Sequence, residues 1–342
     1  MRKVSILLLV SFICLGSSGQ FPVSTDSLYT FIKSNSILRK SADWKEIDQA
    51  YYKQIKEAKS LKDTMNCFVT VLKKLNDVHS QLFLNNQYYG HYPAFDDSTL
   101  AWLKPLNDRA VSVTNQVITE TIVDNIGYIR IPSFQVFDAA QINNLAQSLA
   151  DSVTAISLKS KKGLVIDLRL NGGGNIYPML SGLSILLGNR IIGYETDADD
   201  SIARTWEIKN GNFVIGGYQT SSITVRQVSG LDNLPVVILT GPVTKSAGSM
   251  TAITFKGRPN TLFIGEPTAD GYTTSNGYFQ FAPNLFLNFA THYVADRNKI
   301  KYKTVVDPDI FVLRGDNFDN LKQDKKISVA IEWLSAKYGS AQ

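Results

Sequence analysis

The chain has 342 residues, of which 44% are hydrophobic and 19% charged, and a formal net charge of +5 at pH 7. That length can bury a large core and suits one large domain beside a smaller one, with the composition of an ordinary globular protein. The basic excess is mild and scattered, in pairs such as Lys73-Lys74, Lys161-Lys162 and Lys325-Lys326, which argues against nucleic acid as a partner.

Residues 1–19 read as a secretory signal peptide. Arg2 and Lys3 precede the apolar run Val4–Leu15, and Ser17-Ser18-Gly19 offers small residues for cleavage, so the mature chain is expected to start at Gln20 in a periplasmic or extracellular setting. Lipidation at Cys14 is the weaker reading, because bulky Phe12 and Ile13 precede it. No later segment is long and apolar enough to span a bilayer, so no stable membrane insertion is expected after cleavage. Cys67 is then alone, without an internal disulfide, and reads as a small buried hydrophobe.

Residues 20–95 are expected to form a small N-terminal helical domain. Ser24 and Asp26 are cap candidates before Leu28, Phe31 and Ile32. Asp43 precedes Trp44, Ile47, Tyr51 and Ile55. Leu61, Met65, Phe68, Val69, Leu72 and Leu75 form a third stripe, running into Asn76-Asp77-Val78-His79-Ser80. Residues 81 to about 120 read as an aromatic-rich loop with one or two strands. Residues 96–342 form the core domain. Ile126–Ile131, Lys162–Arg169, Val236–Thr240 and Thr261–Ile264 read as buried strands. Helices are expected at 137–158, about 177–187 and 246–256. Residues 272–313 look strand-rich, and 319–338 read as a closing helix. This alternation predicts an α/β fold built on βα crossovers.

Two strand-to-helix turns carry the chemical signals. Asn171-Gly172-Gly173-Gly174 follows the second strand, and its glycines permit close backbone approach. A phosphate loop is a poor reading, since the P-loop Gly-Lys-Ser/Thr ending is absent and Tyr177 replaces the third glycine of a dinucleotide fingerprint. An oxyanion hole facing the other turn is the remaining functional reading. That other turn, Thr244-Lys245-Ser246-Ala247-Gly248-Ser249, places Ser246 where a helix N-terminus offers free N–H groups to a developing negative charge.

Five segments in order resemble the C-terminal processing peptidases and their tricorn-core and interphotoreceptor retinoid-binding relatives. Asp167–Gly174 looks like the family's D-x-R-x-N-x-G-G, Thr244–Gly248 like its nucleophile turn, and Ile264-Gly265-Glu266-Pro267-Thr268 like its I-G-E-x-T segment. Ile126–Ile131 and Val306-Asp307-Pro308-Asp309-Ile310 resemble its first core strand and terminal P-D segment. The resemblance covers about 61–315 and implies a ClpP/crotonase-like core.

The resemblance further implies a serine peptidase acting on a peptide or protein, with no metal or other cofactor. Ser246 would be the acyl-forming nucleophile, and the N–H groups of Gly173 and Ala247 the oxyanion hole. One branch of the family takes a lysine base just after G-E-x-T, but Ala269-Asp270-Gly271-Tyr272 contains none. The tricorn-like branch uses a histidine, and Asp77-Val78-His79-Ser80 resembles its D-x-H-S/T motif, making His79 the general base. The stretch 81–125 is too short for the PDZ module often found there. Lys245 adjoins the nucleophile, yet consecutive turn side chains usually diverge. This sequence departs from the tricorn pattern at the groups that orient the histidine. Val78 precedes His79, and Tyr302 stands about where a glutamate belongs, which leaves Asp77, Ser80, Glu266 or Tyr302 as supporting groups.

Two readings follow. The first is an exported serine peptidase, with Ile126–Ile131 and the Pro132-Ser133-Phe134 corner as an edge for an extended peptide. The alternative is a catalytically weakened member that binds an apolar ligand or peptide, with Tyr88, Tyr89, Tyr92, Phe95 and Trp102 lining a groove. A His79 nitrogen within about 3–4 Å of the Ser246 hydroxyl separates them in favour of the first.

Overall fold

The computed structural model describes residues 25–226 and 228–339; the expected signal peptide and Cys14 lie outside them. Helices α1 (Thr25–Asn35), α2 (Trp44–Glu57) and α3 (Leu61–Leu75) lead into β1 (Gln81–Leu84), β2 (Gln87–Gly90) and α4 (Asp97–Ser112). Then come β3 (Ile118–Val123), β4 (Ile126–Arg130), α5 (Ala139–Lys159), β5 (Gly163–Asp167), α6 (Ile176–Gly182) and α7 (Ser184–Leu187). Strands β6 (Ile191–Thr196), β7 (Ile202–Lys209), β8 (Asn212–Ile215) and β9 (Tyr218–Gln219) precede β10 (Val236–Thr240), α8 (Ala247–Phe255) and β11 (Thr261–Gly265). The chain closes with β12 (Thr274–Ala282), β13 (Leu285–Asp296), β14 (Lys301–Tyr302), β15 (Ile310–Phe311) and α9 (Lys325–Gly339).

Two sheets result, giving the expected α/β architecture. The first has the order β15-β11-β10-β5-β4-β3, parallel except at β3. Its central strands β4, β5 and β10 are buried along their whole length because both faces are covered, whereas β3 at the edge is largely exposed. Ile166 and Ile238 turn into the main core with α5, α6 and α8, while Val165 and Val237 turn toward α9. The second sheet runs β2-β1-β13-β6-β7-β8-β9, with β12 and β14 also paired to β13. Helices α1–α3 pack Leu28, Phe68 and Leu72 against Leu82, Leu287 and Phe289 of that sheet. Cys67 is buried on α3, as its position among apolar residues suggested.

Three local expectations need correction. Residues 97–112 form a helix, capped by Asp96 Oδ1 accepting from the Thr99 N–H; Pro105 inside it and a largely exposed surface hid its periodicity. The β4 strand is not an edge. It pairs with β3 and β5 along its length, and the following corner is used internally, with Phe134 N–H donating to Gly173 O and Asn175 N–H to Phe134 O. Tyr88, Tyr92 and Phe95 are largely exposed, and Trp102 lies under the Arg314 guanidinium, so these aromatics do not form a buried groove.

Candidate active site

Strands β5 and β10 are parallel neighbours with Asp167 level with Leu239, so the turns that follow them leave the sheet side by side. Asn171 ties these turns together. Its carbonyl accepts the Lys245 N–H (3.0 Å) and its side-chain oxygen accepts the Gly173 N–H (3.0 Å). Gly173 has φ of 108°, and a Cβ there would stand 2.7 Å from Ser246 Cβ. Ser246 itself has φ 54° and ψ −124°, a costly conformation for a residue with a side chain, held at the N-terminus of α8. Its N–H donates to Tyr272 O (3.1 Å), and the Ala269 N–H donates to Thr244 O (2.9 Å), so the segment before β12 braces the turn.

His79 arrives from the other sheet. Helix α3 ends at left-handed Asn76, and Asp77 then folds the chain back: Asp77 Oδ1 accepts the His79 and Ser80 N–H groups, and Oδ2 accepts the Ser80 hydroxyl (2.6 Å). The Ser80 hydroxyl oxygen in turn accepts the Ala290 N–H of β13. The imidazole is thereby carried to the nucleophile, with Nε2 2.9 Å from Ser246 Oγ.

The other ring nitrogen, Nδ1, lies 2.7 Å from Thr274 Oγ1. Thr274 donates its hydroxyl proton to Asn276 Oδ1 (3.0 Å), and the Asn276 side-chain amide donates to His79 O (3.1 Å), which fixes the Asn276 orientation. A hydroxyl carries one proton. With that proton on Asn276, Thr274 must accept from Nδ1–H, so Nε2 is bare and accepts from the Ser246 hydroxyl. Burial, with a smaller contribution from the positive charge of Lys245, pushes His79 down to about 3, so the ring is neutral at physiological pH.

Of the residues singled out from sequence, Ser246, His79, Gly173 and Ala247 come together. The Ala247 N–H has no acceptor among the described residues, whereas the Gly173 N–H is engaged by Asn171. Asp77 holds the backbone of His79 and makes no hydrogen bond to its ring; burial raises its own carboxyl above the usual range. Glu266 and Tyr302 stand elsewhere. Glu266 accepts the Arg314 N–H and pairs with Lys326 (2.6 Å), and Tyr302 donates to Asp296 (3.3 Å). The group actually on Nδ1, Thr274, was missed; its only sequence signal is the hydroxyl cluster Thr273-Thr274-Ser275 soon after the G-E-x-T segment. Among the described residues no cluster of His, Cys, Asp and Glu suits a metal ion.

The chain is similar to known proteins in both sequence and fold. The chain is 27% identical over 298 residues to the nisin-resistance protein of Lactococcus lactis subsp. lactis, covering 87% of this chain and 81% of that one. Its fold is similar to that of a lipoprotein from Streptococcus agalactiae (TM-score 0.69, 24% identity, 94% and 99% of the two chains). It is also similar to the photosystem II D1 C-terminal processing protease (TM-score 0.52, 15% identity, 84% and 92%). Residues 125–312, more than half of the chain, match peptidase family S41, and the chain therefore belongs to that family.

Proposed function

We propose that the protein is an exported serine peptidase that cleaves peptide bonds through an acyl-enzyme on Ser246. The observation that carries this reading is the 2.9 Å separation of His79 Nε2 from Ser246 Oγ, with Nδ1 held by Thr274 on the other side of the ring. A protein kept only to bind a ligand has no need of a buried, neutral, correctly protonated imidazole at that distance.

In the first step His79 Nε2 takes the hydroxyl proton as Ser246 Oγ attacks the peptide carbonyl. The Ala247 N–H, at the start of α8, donates to the developing oxyanion, and the Gly173 N–H joins it as a donor shared with Asn171 Oδ1. His79 then returns the proton to the leaving amine, and water, activated by the same nitrogen, releases the acyl group. Export is supported by residues 1–19 of the sequence and by the likeness to a lipoprotein; among the described residues no helix is long and apolar enough to cross a membrane. The likeness to a nisin-resistance protein makes nisin a first substrate to try.

The test is labelling by a fluorophosphonate probe, which reports on nucleophile and base without a known substrate. Wild type should be labelled, Ser246→Ala not at all, and His79→Ala far more slowly. Equal labelling of wild type and Ser246→Ala would sink the assignment.

A further inference from the structure

Beside the nucleophile stands a cation whose place in the site the catalytic steps do not use. Lys245 does not extend into solvent. Its side chain runs along the glycine-rich turn, with Cε 3.6 Å from where a Gly172 Cβ would lie. Its ammonium sits 5.6 Å from the centre of the Tyr272 ring, whose other neighbour is the His79 ring at 5.1 Å. Burial lowers the Lys245 amine below its ordinary range, and its charge is felt at His79.

Among the described residues this ammonium has no carboxylate partner. The buried acids near the site are committed elsewhere. Asp77 is saturated by His79 and Ser80, and Glu195, on β6, is bonded by Arg204 and the Ser275 hydroxyl (2.5 Å). A half-desolvated ammonium without a counterion is costly to keep, and the π-face of Tyr272 compensates only in part. The other buried cations all have hydrogen-bond acceptors, which the Lys245 ammonium lacks among the described residues: Arg169 meets Asp167 and Asp324, Lys326 meets Glu266 and Asp316, Arg258 donates to the carbonyls of Leu186, Leu231 and Leu234, and Arg130 donates to the Tyr128 hydroxyl and Phe318 O.

We infer that Lys245 is a specificity-determining residue which binds a carboxylate of the substrate close to the scissile bond. The inference rests on the peptidase reading above and adds to it a substrate class: peptides that bring a negative charge to the cleavage site. That carboxylate comes either from the chain's own C-terminus or from an aspartate or glutamate side chain. Both present the same pair of oxygens to the ammonium.

The test measures binding by calorimetry to the full-length Ser246→Ala protein, so that no turnover is needed. One pair of probes is acetyl-trialanine as free acid and as C-terminal amide. A second pair is the amidated peptides acetyl-Ala-Asp-Ala and acetyl-Ala-Asn-Ala. The acid of at least one pair should bind at least about tenfold more tightly than its neutral partner, the factor expected of a charge-assisted hydrogen bond. The pair that shows the preference identifies the source of the carboxylate. Adding Lys245→Met should erase the preference, and Lys245→Arg should retain most of it, while thermal melting confirms that each variant folds. Equal affinities within both pairs, no detectable binding of any probe at millimolar concentration, or a preference that survives Lys245→Met would each overturn the inference. Fluorophosphonate labelling of the protein with Ser246 intact reports separately on the peptidase reading, so either idea can fail while the other stands.

Discussion

Thr274→Val tests the reasoning about His79 most directly. Valine keeps the shape of threonine and removes only the oxygen 2.7 Å from His79 Nδ1. The buried Nδ1–H then has no acceptor, which costs about 1–3 kcal/mol for an unsatisfied group. Part of that cost can be avoided by moving the proton to Nε2, but this tautomer cannot accept from Ser246. Either way the acylating arrangement loses roughly 1–3 kcal/mol, which corresponds to about 5- to 150-fold in rate. The assay is the second-order rate constant for fluorophosphonate labelling, read beside the melting temperature. Thr274→Ser, which keeps the hydroxyl, should stay within a few-fold of wild type. If Thr274→Val reacts as fast as wild type, or Thr274→Ser is as slow as Thr274→Val, the hydroxyl does not set the tautomer and the argument fails.

Gly173→Ala should abolish labelling, by about a hundredfold or more, because its Cβ would press on Ser246 Cβ at 2.7 Å and φ of 108° strains any side chain; labelling near the wild-type rate would mean that the two turns are not locked together. Asp77→Ala leaves the His79 and Ser80 donors without their acceptor, and should lower stability by about 2 kcal/mol or more in urea titrations along with the labelling rate. With His79 pushed down to about 3, labelling should not fall by half as the pH is lowered through 6.5, and a midpoint of 6–7 would contradict the burial argument. The same shift affects folding. Below pH 6.5 the unfolded chain protonates this histidine while the folded chain does not until about 3, so stability should fall with pH across that window, and His79→Gln should lack this part of the slope.

What could be read from the sequence was what local chemistry dictates. Ser246 and Gly173 stand out because a buried strand ending in small residues before a helix restricts the backbone, and few residues tolerate φ of 54° or 108°. The alternation of apolar strands and helices likewise marks the parallel sheet. His79 was legible only through the pattern Asp77-Val78-His79-Ser80, since a histidine after a helix has more ordinary uses. Thr274 was not legible, because threonine is an ordinary strand residue and its contact with His79 spans 195 positions. That contact requires β1 and β12 to flank β13 in one register, including a shift at Ser275/Asn276. Glu266 and Tyr302 misled for the same reason in reverse: Lys326 and Asp296, which hold them, are chosen by tertiary packing.

A site oriented by a hydroxyl differs electrostatically from one oriented by a carboxylate. When His79 takes the Ser246 proton, the imidazolium gains no ion pair from Thr274, and burial and the Lys245 charge both oppose it. A base held that low transfers a proton from serine poorly. A substrate carboxylate on Lys245 would cancel the positive charge bearing on His79, so binding the right peptide would also strengthen the base. Discrimination should then appear in kcat as well as in KM: peptides bearing the carboxylate should turn over faster at saturation than their amides. In Lys245→Met, which carries no charge with or without substrate, the two kcat values should converge. Identical kcat for acid and amide peptides in wild type, with only KM differing, would show that Lys245 anchors the substrate without tuning the base.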